Sequence, residues 1–277
     1  MPELPEVEVV RQVLKSNVLG LKITDIECFY EPIIENDFLE FKSLLLGKTI
    51  TNINRLGKYL IFILENDSFI SHLRMEGKYH YLKEDMPNLK HTHVVFHFDN
   101  GYKLLYQDVR KFGRMVYKSV DDIYTTLPLS KVGVEANSID YNIEDIYNKI
   151  INKKLPIKTV LLDQTIISGL GNIYVDEVLF KSRINPHRNA NSITLDEVKS
   201  IMVNSKEILD KAIVHKGTTI RSYTSSLGVT GNYQDFLLVH TKTICPICNG
   251  KISKDKIGGR SSYYCKECQV IKWKLLG

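Results

Sequence analysis

The pairs Cys245-Pro246-Ile247-Cys248 and Cys265-Lys266-Glu267-Cys268, with sixteen residues between them, decide how the end of this chain must fold. Two close cysteine pairs at that separation can present four thiolates on facing turns of a hairpin, the donor set of a tetrahedral Zn²⁺. Four protein ligands close such a site, which predicts one structural Zn²⁺ held by Cys245, Cys248, Cys265 and Cys268. Four thiolates around the ion leave a net charge near −2, which the neighbouring lysines offset. Between the pairs, Gly258-Gly259-Arg260 places Arg260 at the hairpin tip, where a guanidinium fork suits a phosphate, although a solvated loop arginine reads the same way.

The charge of the whole chain points in the same direction. The 277 residues carry a net charge of +5; from Leu238 onward eight basic residues stand against two acidic ones, so the whole excess lies at that end and the rest of the chain is close to neutral. A basic end is the electrostatic footprint of a polyanion partner. No apolar run approaches a membrane span, and residues 1–20 are too acidic and too helical for a signal peptide, so a cytoplasmic protein with no membrane partner is expected. In such a chain clustered cysteines imply a metal rather than disulfides, and the isolated Cys28 reads as core.

At the other end, Met1-Pro2-Glu3-Leu4-Pro5-Glu6 opens on a residue type that permits removal of the initiator methionine. Pro2 would then be the chain terminus, a secondary amine. An α-amino group titrates near 7.7–8.0, so an appreciable fraction is neutral at physiological pH and able to attack a carbonyl carbon. A secondary amine condensing with an aldehyde yields a cationic iminium without an N–H, an electron sink suited to eliminations. Glu3 and Glu6 set two carboxyl groups beside it. The same residues also read as a plain helix start: Pro5 suits the first turn, and Val7, Val10 and Leu14 share one face before Gly20.

Between these ends, residues 22–118 read as β, with strand-like runs at Ile23–Tyr30, Tyr59–Leu64, Phe69–Leu73, His93–Phe98 and Tyr102–Tyr106. Asp99-Asn100-Gly101 is the clearest hairpin signal, and the spacing predicts a sandwich or barrel. Residues 119–136 read as a linker. From Asn142 the period becomes helical: one helix through Ile150, a second from near Pro156 to Ile167, and a third after Gly169-Leu170-Gly171-Asn172. A fourth opens with the capping box Thr194-Leu195-Asp196-Glu197 and runs to about Val214. The start of the third helix offers unpaired N–H groups to a phosphate, or is packing alone. Residues 216–234 are a Gly/Ser/Thr-rich loop. Arg55-Leu56-Gly57-Lys58, His72-Leu73-Arg74-Met75-Glu76-Gly77 and Asp108-Val109-Arg110-Lys111-Phe112-Gly113 add cations and exposed-looking apolar residues, each of which taken singly has an ordinary structural reading.

In this order the motifs resemble the formamidopyrimidine-DNA glycosylase family, from Pro2 to Gln269. The resemblance implies an α+β multidomain fold: an N-terminal antiparallel β-sandwich (2–118), a linker (119–136), a helix-two-turn-helix domain (137–235, with a lesion loop at 216–231) and a four-cysteine zinc-finger hairpin (238–277). It implies a monomeric base-excision enzyme, cytoplasmic and associated with the nucleoid, removing 8-oxoguanine and formamidopyrimidines from double-stranded DNA and cleaving the abasic site by β,δ-elimination. Pro2 would be the nucleophile, Glu3 the acid/base and Glu6 the group that positions the terminus. Lys58, His72, Lys158, Asn172 and Arg260 would hold phosphates; Met75, Arg110 and Phe112 would fill the space left by the extruded nucleotide. Glu76, Thr218, Ile220, Arg221, Ser222 and Tyr223 would surround the base. Two departures stand out: His240-Thr241-Lys242 where a Tyr-Gly-Arg-like segment is expected, which leaves a phosphate contact there open, and Lys216 where glycine is common. The alternatives are an endonuclease VIII-like enzyme for oxidised pyrimidines, against which Leu4 and the Arg110/Phe112 pair argue, and a non-catalytic zinc protein that binds damaged DNA.

Overall fold

The computed structural model describes residues 1–218 and 231–270. The expectations placed on Ile220, Arg221, Ser222 and Tyr223 lie outside the described residues. The chain divides into two compact units, one of residues 1–131 with the described residues between 216 and 232, the other of 132–215 with those from 233 onward.

The first unit starts with helix α1 (Leu4–Val18), whose Val7, Val10, Leu14 and Val18 are buried on one side, as the helical period predicts. Strand β1 (Ile23–Cys28) and helix α2 (Phe38–Leu45) follow, then β2 (Asn52–Leu56), β3 (Tyr59–Leu64), β4 (Asp67–His72), β5 (Lys78–Lys83), β6 (Thr92–Phe98), β7 (Tyr102–Gln107) and β8 (Arg114–Ser119). They form two four-stranded antiparallel sheets, ordered β1-β6-β7-β5 and β2-β3-β4-β8, so the expected sandwich is the observed architecture. Phe62 and Phe69 stack at 4.3 Å in one sheet, and Phe69 stacks at 5.1 Å on Phe96 of the other. Each such ring removed from water contributes roughly 1.5–3 kcal/mol. Gly101 takes φ +76° in the β6–β7 hairpin, as its Asn-Gly signal requires. Helix α2 was not expected within the β stretch. Its signal was present: Asp37 accepts a hydrogen bond from the Glu40 N–H, and Phe41 and Leu45 repeat at helical spacing.

The stretch expected to be a linker carries its own short structure, two 3₁₀ turns (Val120–Asp122, Leu129–Lys131) with Ile123 and Leu129 buried. The second unit then pairs β9 (Val134–Glu135) in parallel with β10 (Ile167–Ser168). Its helices are α3 (Ile143–Ile151), α4 (Ile157–Leu161), α5 (Asn172–Lys181) and α6 (Leu195–Val214). Helix α6 starts with the expected Thr194/Glu197 capping box. Helix α4 is far shorter than the expected span to Ile167. Asp163 accepts hydrogen bonds from the Thr165 N–H and hydroxyl, forming a turn that competes with the helix, so the Gly169–Asn172 turn leaves a strand rather than a helix. The hairpin of β11 (Ile252–Ile257) and β12 (Arg260–Cys265) turns through Gly258 and Gly259, both at positive φ. Helix α5 packs against α4, α6 and β12, so the helices and the hairpin share one interior.

Candidate functional site

In the first unit the start of the chain is a buried carboxylate site. Pro2 is buried, and Glu3 and Glu6 are 2% and 5% exposed. Glu6 Oε2 accepts from the Glu3 N–H at 2.9 Å, the reciprocal cap that starts α1. Its other oxygen, Oε1, accepts from the Thr218 N–H at 2.8 Å and the Thr218 hydroxyl at 3.1 Å. Gly217 makes this approach possible: at φ +76°, its Cβ would lie 2.7 Å from Glu6 Oε1. Lys216, the departure noted above, also has positive φ, at 60°. The terminal α-amino group, here on Met1, is pushed below its usual value by burial, against the pull of Glu3 and Glu6, with Lys58 adding to the depression. A nitrogen in this place is therefore biased toward its neutral, nucleophilic form.

Lys58, 4% exposed, stands in the two-residue turn between β2 and β3, after Gly57 at φ +56°. Arg55 holds this turn: its Nη1 donates to the Gly57 carbonyl at 2.9 Å and its Nε to Glu8 at 2.9 Å. Glu8 also binds Arg11; although burial opposes it, the hydrogen bonds from Arg11 and Arg55 hold Glu8 below the usual carboxylate range. This Glu8 brace was not singled out in the sequence, where charges on a first helical turn read as dipole compensation.

His72 ends β4, edge-on to Tyr59 at 4.5 Å. Burial first, then Arg74 and Lys58, push it down to about 3, so it is neutral. Because its Nδ1 accepts from the Arg74 N–H at 2.9 Å, the ring proton belongs on Nε2, making His72 a neutral hydrogen-bond donor. Met75 and Glu76 follow, both partly buried. In the loop between β7 and β8, Phe112 is 47% exposed and Arg110 lies 4.7 Å over its ring. Asp108, fully buried, sets that loop: Oδ1 accepts from the Arg110 N–H at 3.0 Å, and Oδ2 from those of Phe112 and Gly113 at 2.8 Å each. The Tyr106 hydroxyl lies against both loops, 1.7 Å from where a Cβ on Gly113 would sit and 2.3 Å from one on Gly77.

In the second unit Asn172 starts α5 and donates from Nδ2 to the Ser261 carbonyl at 2.9 Å, beside exposed Arg260 at the start of β12. Lys158 is in a different setting from the one expected. Its side chain is 0% exposed, and its ammonium donates to Asp176 Oδ1 at 2.8 Å and to the same Ser261 carbonyl at 2.9 Å. A lysine so enclosed holds the hairpin from inside; it does not reach out to a phosphate. Asp176 Oδ2 takes His240 Nδ1 at 2.8 Å and the Tyr263 N–H at 3.1 Å, so the departure at His240 is accommodated by a carboxylate. Glu177 accepts from the N–H groups of Leu238, Val239 and His240. Both acids were missed because two adjacent carboxylates in an apolar helix look solvated in the sequence.

The four cysteine sulfurs lie within 4.8 Å of one another, with Cys245–Cys268 at 3.7 Å and Cys248–Cys265 at 3.5 Å. Bonds of about 2.3 Å to a tetrahedral zinc put sulfurs about 3.8 Å apart, so the set fits a metal ion of that size and ligand preference.

Comparison with known proteins agrees with this geometry. Residues 1–115 match the family model for the formamidopyrimidine-DNA glycosylase N-terminal domain, and 132–224 that for the H2TH domain of the same family. The chain is 42% identical over 271 residues to the formamidopyrimidine-DNA glycosylase of Streptococcus pneumoniae, covering 97% of this chain and 99% of that protein. To the protein of the same name from Oceanobacillus iheyensis it is 43% identical over 277 residues, 98% and 99% of the two chains. Among solved structures it is similar to a mutant of the Lactococcus lactis FPG with a Fapy-dG-containing DNA (TM-score 0.92, 40% identity, 98% and 100% covered). It is also similar to Lactococcus lactis Fpg with an abasic-site-containing DNA (TM-score 0.91, 41% identity, 98% and 100% covered).

Proposed function

The chain belongs to the formamidopyrimidine-DNA glycosylase family, and on that premise we propose that its nucleophile is Pro2, freed by removal of Met1. It is a bifunctional enzyme of base-excision repair that removes oxidised purines from duplex DNA and then acts as a lyase on the abasic site. It acts as a monomer on nucleoid DNA in the cytoplasm, and no described helix is long and apolar enough to cross a membrane.

The neutral Pro2 nitrogen attacks C1′ as the bond from C1′ to the base breaks, and the base leaves with the electron pair. The nitrogen then gives up its proton, and Glu3 in its acid form protonates the ring oxygen. As the C1′–O4′ bond breaks, the nitrogen lone pair completes a C1′=N⁺ iminium. Loss of a C2′ proton expels the 3′ phosphate, and a second elimination expels the 5′ phosphate, leaving a one-nucleotide gap once water releases the sugar remnant. Glu6 anchors Thr218 and positions the terminus, while Lys58 supplies positive charge beside it. His72, Asn172 and Arg260 contact phosphates, and Lys158 positions Ser261 and thus the Arg260 strand. Met75, Arg110 and Phe112 occupy the vacated stack, with Glu76 and Thr218 at the base. The four cysteines would hold one Zn²⁺, which supplies structural closure of the hairpin.

The observation that carries this reading is the buried chain start, with the carboxylates of Glu3, Glu6 and Glu76 and the Lys58 ammonium acting on the terminal nitrogen. The test is borohydride trapping on duplex with 8-oxoguanine opposite cytosine, using protein whose intact mass shows Met1 absent. A covalent adduct mapped to Pro2 is expected; no adduct, or one on a lysine, overturns the assignment. Faster trapping on oxidised pyrimidines than on 8-oxoguanine would favour the endonuclease VIII-like alternative.

A further inference from the structure

The outer face of the second sheet carries a cluster around His72 whose other members none of the roles above uses. The strand register sets Tyr59 of β3 opposite His72 of β4, and His72 opposite Arg114 of β8, so the three form one row across the sheet. Side chains paired this way share a face. One pair further along, Ile70 opposes Val116, giving the row an apolar floor. These residues, with Glu35, Arg74 and Pro128, line a small, partly open recess. A recess so small and open does not enclose a molecule; it suits contact with one compact group at the surface.

The charges define the group. Two guanidiniums, Arg74 and Arg114, face one carboxylate, Glu35, and His72 is neutral, so the balance is one positive charge with a neutral N–H donor. Arg74 is exposed, and its guanidinium makes no ion pair or side-chain hydrogen bond among the described residues. Its backbone is held at φ +53°, uncommon for a non-glycine residue, where its N–H orients the His72 ring. Arg114 Nη1 donates to the carbonyls of Gly113 at 2.7 Å and Phe112 at 3.3 Å, tying its fork to the wedge loop. Glu35 is fixed beside β8 by its N–H bond to the Met115 carbonyl at 2.8 Å.

We infer that this recess is a second phosphodiester seat, in which Arg74 and Arg114 hold the DNA backbone phosphate next to the one His72 contacts. The inference rests on the DNA-repair reading above. It makes Arg114 both a phosphate ligand and a brace for Phe112, so that occupancy of the seat and presentation of the wedge are linked. Glu35 opposes the phosphate and keeps the seat weak, as suits an enzyme that must move along DNA.

The test measures dissociation constants over a series of salt concentrations, by fluorescence anisotropy, on duplex carrying a non-cleavable abasic analogue. Wild-type protein is compared with Arg74→Ala and Glu35→Gln. Arg74→Ala should weaken binding about 3- to 10-fold at low salt and reduce the steepness of the log–log salt plot by about 0.9, the value of one lost phosphate contact. Glu35→Gln should tighten binding about 2- to 5-fold, an effect a merely structural glutamate would not give. Unchanged salt dependence in Arg74→Ala with a native circular dichroism spectrum overturns the seat, as does weaker binding by Glu35→Gln. A second arm titrates inorganic phosphate against potassium chloride and follows thermal unfolding. Stabilisation by phosphate without the DNA effect would mean a free-anion pocket and would also overturn it. If wild-type protein forms the borohydride adduct but the salt plots coincide, only the seat fails; absence of the adduct rejects the repair reading itself.

Discussion

Asp108→Asn is the sharpest test of how the Phe112 loop is built. The carboxylate is fully buried and accepts three backbone N–H bonds, one on Oδ1 and two on Oδ2. Asparagine keeps the shape but has one acceptor oxygen. Its best orientation places that oxygen toward Phe112 and Gly113, which turns the amide NH₂ against the Arg110 N–H. Hydrogen bonds to a charged group contribute about 1.5–3 kcal/mol each and neutral ones about 1, so two bonds weaken and one is replaced by a donor–donor contact. The sum is a loss of about 2–4 kcal/mol of unfolding free energy, measurable by urea denaturation with an unchanged m-value. Because Arg110 and Phe112 ride on this loop, single-turnover excision of 8-oxoguanine should fall at least about tenfold. Cleavage of a preformed abasic site, which has no base to extrude, should fall less. A loss of stability under about 0.5 kcal/mol, or equal losses on the two substrates, would refute this account of the loop.

Lys158→Met should cost about 3–5 kcal/mol of stability, since it strands buried Asp176, yet leave the salt dependence of DNA binding unchanged; a shallower salt plot would restore Lys158 as a phosphate contact. Removing the metal with a chelator should abolish hydrogen-exchange protection of β11 and β12 and weaken DNA binding, with recovery on adding Zn²⁺; protection that survives in metal-free protein would contradict the four-thiolate assignment. His72, at about 3 in the folded chain against the ordinary 6.5 of a solvated histidine, binds fewer protons folded than unfolded. Its stabilisation is therefore complete above pH 6.5 and lost as pH falls from there toward 3. His72→Asn should flatten the stability profile over that window, and an unaltered slope would show that the ring titrates normally.

The sandwich was legible because its strands alternate or run apolar between turn residues, as in Tyr59–Leu64 and the Asp99-Asn100-Gly101 hairpin. The hairpin of the cysteine pairs was legible because a four-thiolate site dictates its own spacing. What escaped were features set by local competition or by distant partners. Helix α4 stops at Leu161 because the Asp163 side chain captures the backbone beyond it. Lys158 reads as a free cation until Asp176, eighteen positions on, is brought against it by the packing of α4 on α5. Glu6 was expected to position the terminus, but its bond to Thr218 spans 212 positions and no period or spacing announces it.

The phenol oxygen of Tyr106 lies where a methyl group on Gly77 or Gly113 would have to go. The segment carrying Met75 and the segment carrying Phe112 are thus gauged by the same atom, rooted in the sandwich interior. Neither can drift in sequence or in position without the other. Redesign of the Met75 and Phe112 segments should therefore recode both of them and position 106 as a set.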